Sequence, residues 1–381
     1  MRIGEYGGGL AGGIRQNQPP ATDHLLPTCR ESEPTEWYLD RFVRRRRVKG
    51  SVLPNNLPLT AGQLRTAGVT RASLRKHYHR IEYGLYIPVD QLLPETTDSG
   101  FTSAHRVHPA TLVRAHHKAC PGHIVTGFGA AAMSGMEYFA TEELLEFFVA
   151  RGDRIGHQPP HLLLTRTRKL EALRADAVAP DVSNPGLLAT PHGFTLGRML
   201  DILDRVDETR NQRWKVPDLS SVRPHLVREF IRQVQVSDAF HQGLGKGTVG
   251  SLEKLVRTRT VRSDRAAAVL GATAVGAEST PETLLRLIVA DLAPGLRTQI
   301  PVFRDNGRLL TSADMGWEEH GVYLFYDGLH HREQTQRDHD SKVLATLQSH
   351  GGRVFRITAG QLKTVEEVVA LRNLVADALG I

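Results

Sequence analysis

Residues 322–331 read VYLFYDGLHH. Five apolar or aromatic residues run into Asp327 and Gly328 and then into two histidines. Two readings compete. An Asp-Gly step after an extended run is a short hairpin signal, and on that reading the strand simply turns back. A continuous apolar run is also what a central strand covered on both faces looks like, and such a strand can deliver a polar residue to a sheet rim.

The flanking sequence favours the central strand. Upstream, Ser279 or Thr280 caps a helix that starts at Pro281, and PETLLRLIVADL supplies its apolar face. TQIPVF predicts a strand, RDNGR holds an Asn-Gly turn, and LLTSADMGW predicts the returning strand. Downstream, QRDHDSKVLATLQSH predicts a helix ended by Gly351 and Gly352, RVFRIT a last strand, and TVEEVVALRNLVADAL a closing helix. The order over 278–381 is helix, three strands, helix, strand, helix.

Hydrolysis of a phosphodiester with a divalent ion needs carboxylates on neighbouring strands, holding the ion and leaving positions open to water and phosphate. Asp314 ends one predicted strand and Asp327 the next, so sequential pairing brings both to one rim, within reach of one Mg²⁺. Glu282, in the first turn of the preceding helix, is placed to add an oxygen or orient a water. His330, beside His331, is a candidate general acid or base. The candidate catalytic set is Glu282, Asp314, Asp327 and His330, with Asp314 and Asp327 as metal ligands. Each also has a plainer reading: Asp314 as a turn residue, Glu282 as a complement to the helix dipole, the histidines as solvated side chains.

Between Thr60 and Arg80 the sequence TAGQLRTAGVTRASLRKHYHR predicts two short helices broken at AGVT. Thr60 and Gln63 form a capping box, and Thr70 caps the second helix. Arg65, Arg71, Arg75, Lys76 and Arg80 give this span five basic residues and no acidic one, with Ser73 on the second helix. That is the field a helix-turn-helix needs to meet duplex DNA. IEYGLYIPV then predicts a hairpin that would serve as a wing, closing a unit over 51–92.

The remainder is plainer. Residues 1–50 are rich in Gly and Pro and end in the run Arg44 to Arg47, which predicts a flexible basic arm. Residues 95–270 read as mostly helical. His105, His108, His116, His117 and His123 show no zinc-site Cys/His spacing and read as surface histidines. SLEKLVRTRTVRSDRAAAVL reads as a basic amphipathic helix packing its Leu and Val face.

A net charge of +7 and a pI of about 9.5 favour a polyanionic partner. With only Cys29 and Cys120, a disulfide framework and a four-cysteine zinc site are both excluded, and a reducing, cytoplasmic setting is the simpler expectation. No window has the length of apolar sequence that a membrane span needs.

STPETLLR, SADMGW, YDGLHH and QRDHDSKVLATLQSHGGRVFRIT resemble, in that order, the C-terminal domain of actinobacterial proteins related to the very-short-patch-repair endonucleases. Those domains, of the DUF559 type, have the PD-(D/E)xK nuclease fold. LTAGQLRTAGVTRASLRKHYHRIEYGLYIPV resembles the winged helix of AbiEi-type antitoxins, which is joined to that nuclease-like domain in the same group of proteins. The resemblance implies an α+β chain: an N-terminal winged helix, a middle region, and a C-terminal restriction-endonuclease-like αβββαβ domain. Relatives commonly read Glu-x-Asp-Gly where this chain has Phe325-Tyr326-Asp327-Gly328. The repair-endonuclease branch also has an apolar residue at that point, and its working set would map to Asp314, the segment Asp327 to Gly328, and His330 or His331. Two functions are thus expected side by side. One is a DNA-binding, Mg²⁺-dependent endonuclease; the other is a non-catalytic, antitoxin-like regulator with a degenerate nuclease domain. Duplex DNA is the expected partner, with a cognate toxin or a second copy of the chain as further candidates and no membrane involvement.

Overall fold

A computed structural model describes residues 56–93, 106–136, 139, 143–153, 158–204, 214–244, 263–304, 306–327, 343, 345–349 and 351–381. The basic arm predicted for 1–50, His105, residues 251–262, and His330 and His331 lie outside the described residues. The chain is mixed α and β, with three separate sheets among the described residues. Among the described residues, no helix is long and apolar enough to cross a membrane.

The first sheet belongs to a small basic unit. β1 (Leu59–Thr60) leads into α1 (Ala61–Thr66) and α2 (Arg71–His77), followed by β2 (Tyr78–Glu82) and β3 (Leu85–Pro88), with strand order β1-β3-β2. The predicted capping box is present: the Gln63 N–H donates to Thr60 Oγ1 at 3.1 Å, and the Thr60 N–H donates to Gln63 Oε1 at 2.8 Å. Leu64, Leu85 and Ile87 bury its apolar side. Gly84, at φ +73°, turns the hairpin in the left-handed region that glycine enters without a Cβ penalty.

Helices outnumber strands among the described residues of 95–270, as read from the sequence, but that reading missed a four-stranded sheet. α3 (Pro109–Ala119) precedes β4 (Ile124–Thr126), α4 (Gly127–Met133), β5 (Leu145–Ala150), β6 (Leu162–Thr167), α5 (Leu170–Ala175) and β7 (Leu188–Ala189), and the strand order is β6-β5-β4-β7. LEFFVA, at 145–150, is buried on both faces except at Ala150 and therefore shows no alternation to betray a strand. Three long helices follow: α6 (His192–Asp204), α7 (Arg228–Leu244) and α8 (Ser263–Ala272). As expected of residues 263–270, Ala266, Val269 and Leu270 face the core.

The third sheet follows the predicted C-terminal order. α9 (Thr280–Val289) is capped by Ser279, whose Oγ accepts from the Glu282 N–H. β8 (Arg297–Phe303) and β9 (Leu309–Trp317) form a hairpin whose turn has Gly307 at φ +73°. β10 (Val322–Asp327) pairs antiparallel with β9 and parallel with β11 (Arg353–Thr358), and α10 (Val365–Leu379) closes the chain. A strand with a parallel partner after it cannot be the first arm of a hairpin, so the Asp-Gly turn-back reading of 322–331 fails. Val322 and Leu324 point into the core with Met315 and Trp317, while Tyr323 and Phe325 pack with Val343 and Leu347 on the other face.

One core joins the helices of the middle region to the C-terminal sheet, running from Phe128 and Leu196 through Val234 and Leu285 to Trp317 and Val375. At its centre Asp238 of α7, 1% exposed, accepts from Arg286 Nη2, Thr283 Oγ1 and the Ala274 N–H, each at 2.8 Å. Burial pushes the Asp238 carboxyl up, against the pull of Arg286 and the other donors.

Candidate functional site

The basic unit at 59–88 presents its charges to solvent. Arg65, Arg71, Arg75, Lys76 and Arg80 are exposed, and none has a hydrogen-bond or ion-pair partner among the described residues. Thr70 Oγ1 accepts from the Ser73 N–H at 3.2 Å, which fixes the start of α2 and leaves Ser73 half-buried. α2 buries no residue fully. Its last turn carries Arg75, Lys76 and His77, and the tip of the β2–β3 hairpin exposes Tyr83 almost completely, at 97%.

The carboxylates lie where β9 and β10 part. Their ladder runs from Val322↔Trp317 to Leu324↔Met315; past it, the Tyr326 N–H donates to Asp314 Oδ2 at 2.6 Å. Continuing the register one step sets Asp314 against Phe325. Asp314 alternates with the buried Ala313 and Met315, so it shares a sheet face with Phe325 and Asp327.

Glu282 approaches this fork from the first turn of α9. It is 8% exposed, and its carboxylate accepts from the Ser279 hydroxyl at 2.7 Å and the Glu278 N–H at 2.8 Å. Burial, and then the Asp314 charge, hold its carboxyl well above the usual carboxylate range. The Tyr326 hydroxyl is raised as well, by burial first and then by Glu282 and Asp327. On β8, Gln299 lies between Thr298↔Met315 and Ile300↔Ala313, opposite Asp314, and takes φ +52°. A non-glycine residue held there stores about 1–3 kcal/mol of strain, a feature that clusters at functional sites.

Asp327 has a different fate. Its Oδ2 accepts from Arg356 Nη2 at 2.6 Å, with both side chains about one-third exposed. The parallel register sets Arg356 beside Phe325, on the face Asp327 shares, so the guanidinium reaches it diagonally. Among the described residues, Glu282, Asp314 and Asp327 do not converge into a three-ligand group. Glu282 thus feels the Asp314 charge, and Asp327 is tied to Arg356.

Of the histidines read as surface residues, His116 is buried and His108, His117 and His123 are half-buried, while His105 lies outside the described residues. His108 caps α3, its Nδ1 accepting from the Ala110 N–H at 3.1 Å, and burial followed by the Arg114 charge lowers it to about 4. His116 is 4% exposed, and its Nε2 lies 2.9 Å from His123 Nδ1. Burial is the main force that lowers His116 to about 4, opposed by the Glu82 carboxylate, and burial lowers His123 as well. Cys120 completes a group whose three ligand atoms all lie within 4.8 Å of one another. A signal existed in the sequence: His116 and Cys120 stand four apart on one helix face, and a Cys-Pro-Gly-His turn follows. The surrounding Glu82 and His161 come from distant segments and left no local trace.

Neither a family model nor a curated protein matches this chain. The crystal structure of the RV2827C protein from Mycobacterium tuberculosis aligns with 69% of this chain and 84% of its own at 14% identity, with a TM-score of 0.29.

Proposed function

We propose that the chain binds duplex DNA through the unit at 59–88, α2 being the recognition helix and the β2–β3 hairpin the wing. One observation carries this reading: Arg71, Arg75 and Lys76 project from a capped helix without partners among the described residues, beside Arg65 and Arg80. Cations left unpaired on one short element make a phosphate-binding surface, because each phosphate contact releases condensed counterions. The strand order β1-β3-β2 around α1 and α2 supports a winged-helix assignment. Fluorescence anisotropy of a labelled duplex at low salt tests it; no binding there would end the proposal.

A second reading, Mg²⁺-dependent phosphodiester hydrolysis by a restriction-endonuclease-like C-terminal domain, is favoured by the pairing of Glu282 with Asp314. A buried carboxylate that feels a second, half-buried one is better accommodated with a cation between them. The αβββ order of α9 and β8 to β10, with β11 parallel to β10, supports that fold. Glu282 and Asp314 fit a hard oxygen-seeking ion, whereas Asp327 must first leave Arg356, and Phe325 offers it nothing. The chemistry Mg²⁺ would supply there is a polarised phosphoryl oxygen and a more acidic water. The protein's own part would be to place the Glu282 and Asp314 carboxylates, and the charge of an ion there would release the proton that burial favours on Glu282. Nicking of supercoiled plasmid in Mg²⁺ or Mn²⁺, lost in Asp314→Ala, is the outcome this reading expects. Equal nicking by both proteins, or none by either, leaves DNA binding as the function.

A further inference from the structure

We propose that His116, Cys120 and His123 form a site for a divalent ion that prefers nitrogen and sulfur ligands in tetrahedral geometry, with Zn²⁺ the representative ion. His116 and Cys120 stand one turn apart at the end of α3, and the His123 N–H donates to the Cys120 carbonyl at 3.2 Å, folding His123 back over the helix end. All three ligand atoms lie within 4.8 Å of one another. Tetrahedral zinc with bonds of about 2.0–2.3 Å spaces its ligands about 3.3–3.6 Å apart, so small side-chain shifts suffice. This donor set excludes Mg²⁺ and Ca²⁺, which take oxygen.

The arrangement of protons around the two rings favours a cation there. His116 turns its other nitrogen, Nδ1, toward Glu82 Oε1 at 3.8 Å, and His123 turns Nε2 toward Asp153 Oδ2 at 3.6 Å. A neutral imidazole has one N–H. If each ring points its proton at its carboxylate, the 2.9 Å contact between His116 Nε2 and His123 Nδ1 sets two lone pairs against each other. A proton on either inner nitrogen satisfies the ring-to-ring contact but leaves one carboxylate without a facing N–H, whereas a metal ion between the rings lets both turn their N–H outward. A carboxylate behind each ligating histidine is the usual support that fixes tautomer and orientation.

Glu82 supplies an independent sign. Its side chain is 9% exposed, and its Oε1 is buried with no hydrogen-bond partner among the described residues, facing both His116 and His161 at 3.8 Å. Fixing the His116 tautomer with Nδ1–H outward turns a donor toward this oxygen. Three protein ligands leave the fourth corner to water. Glu82 ends β2 of the basic unit while the ligands belong to the middle region, so the ion fastens one to the other.

The test uses the full chain, stripped with a chelator and titrated with Zn²⁺ or Co²⁺. Expected are one ion per chain, a thiolate-to-cobalt charge-transfer band, and protection of Cys120 but not Cys29 from alkylation, mapped by mass spectrometry. The band should survive Cys29→Ala and vanish in Cys120→Ala. Glu82→Gln, which keeps the ligands, should weaken Zn²⁺ binding by about 10–100-fold. Absence of the band in the unaltered protein, its persistence in Cys120→Ala, or Cys120 alkylated equally fast with and without zinc would overturn the site. Should Cys120→Ala fail to fold, the unaltered protein and Cys29→Ala decide the matter on band and alkylation alone.

Discussion

Replacing Arg71, Arg75 and Lys76 together by alanine should change how DNA affinity responds to salt more than it changes anything else. Each phosphate contact contributes about 0.9 to the slope of log affinity against log salt on duplex DNA. Three contacts therefore account for a slope of about 2.7, or about 40-fold in affinity over a fourfold rise in salt. All three side chains are exposed and none has a partner to lose among the described residues. Stability should move little, because two effects oppose each other. Alanine raises helix propensity by a few tenths of a kcal/mol per site, while loss of Arg75 and Lys76 from the last turn of α2 forfeits about 0.3–1 kcal/mol each of dipole interaction. The assay is anisotropy of a labelled duplex across a salt series, with thermal melting as the control for folding. A triple variant that melts normally and keeps the parental slope would refute the assignment of α2 to the DNA backbone.

Three further outcomes follow from the buried and half-buried charges. Asp238→Ala strips Arg286 of its carboxylate at a site 1% exposed and should cost about 3–5 kcal/mol in urea unfolding; a loss under about 1 kcal/mol would mean the pair is not what joins α7 to α9. Glu282 has a folded pKa raised above its unfolded value of 4.5, so the folded state holds the proton longer, and stability should fall as pH rises past 4.5, by up to about 1.4 kcal/mol per pH unit. Glu282→Gln should flatten that decline, and identical pH profiles would contradict the burial and Asp314 repulsion described. Arg356→Ala breaks a pair about one-third exposed and should cost under about 1 kcal/mol, a larger loss in the same unfolding assay indicating that the strand end depends on it.

Local chemistry made much of the fold legible. The Thr60–Gln63 box, the Ser279 cap before Pro281, the turn at Gly307 and the apolar run at 322–326 each act within a few residues, and each appears where the residues predict it. The sheet of β4 to β7 was not legible, because IVT and LEFFVA are short runs without alternation, and such runs do not distinguish strand from helix. At the carboxylate fork, the sequence points to Asp314 and Glu282 but not to the Arg356 contact, which depends on a parallel register set by residues 26 or more positions away. Histidines 116 and 123 looked superficial because burial of an imidazole is decided by tertiary neighbours such as Phe147, whose ring centroid lies 4.3 Å from that of His116. The strained Gln299 carries no sequence mark at all.

The shared core has a practical consequence for dissecting the molecule. A fragment cut at 278, where the composition suggests a boundary, would strip α9 of α7, baring Leu284, Leu285 and Ile288 and leaving the Arg286 guanidinium without its acidic anchor. Such a piece should aggregate. The smallest excisable unit bearing Asp314 therefore starts upstream of Arg228, and any hydrolytic assay on a shorter truncation would report misfolding in place of chemistry.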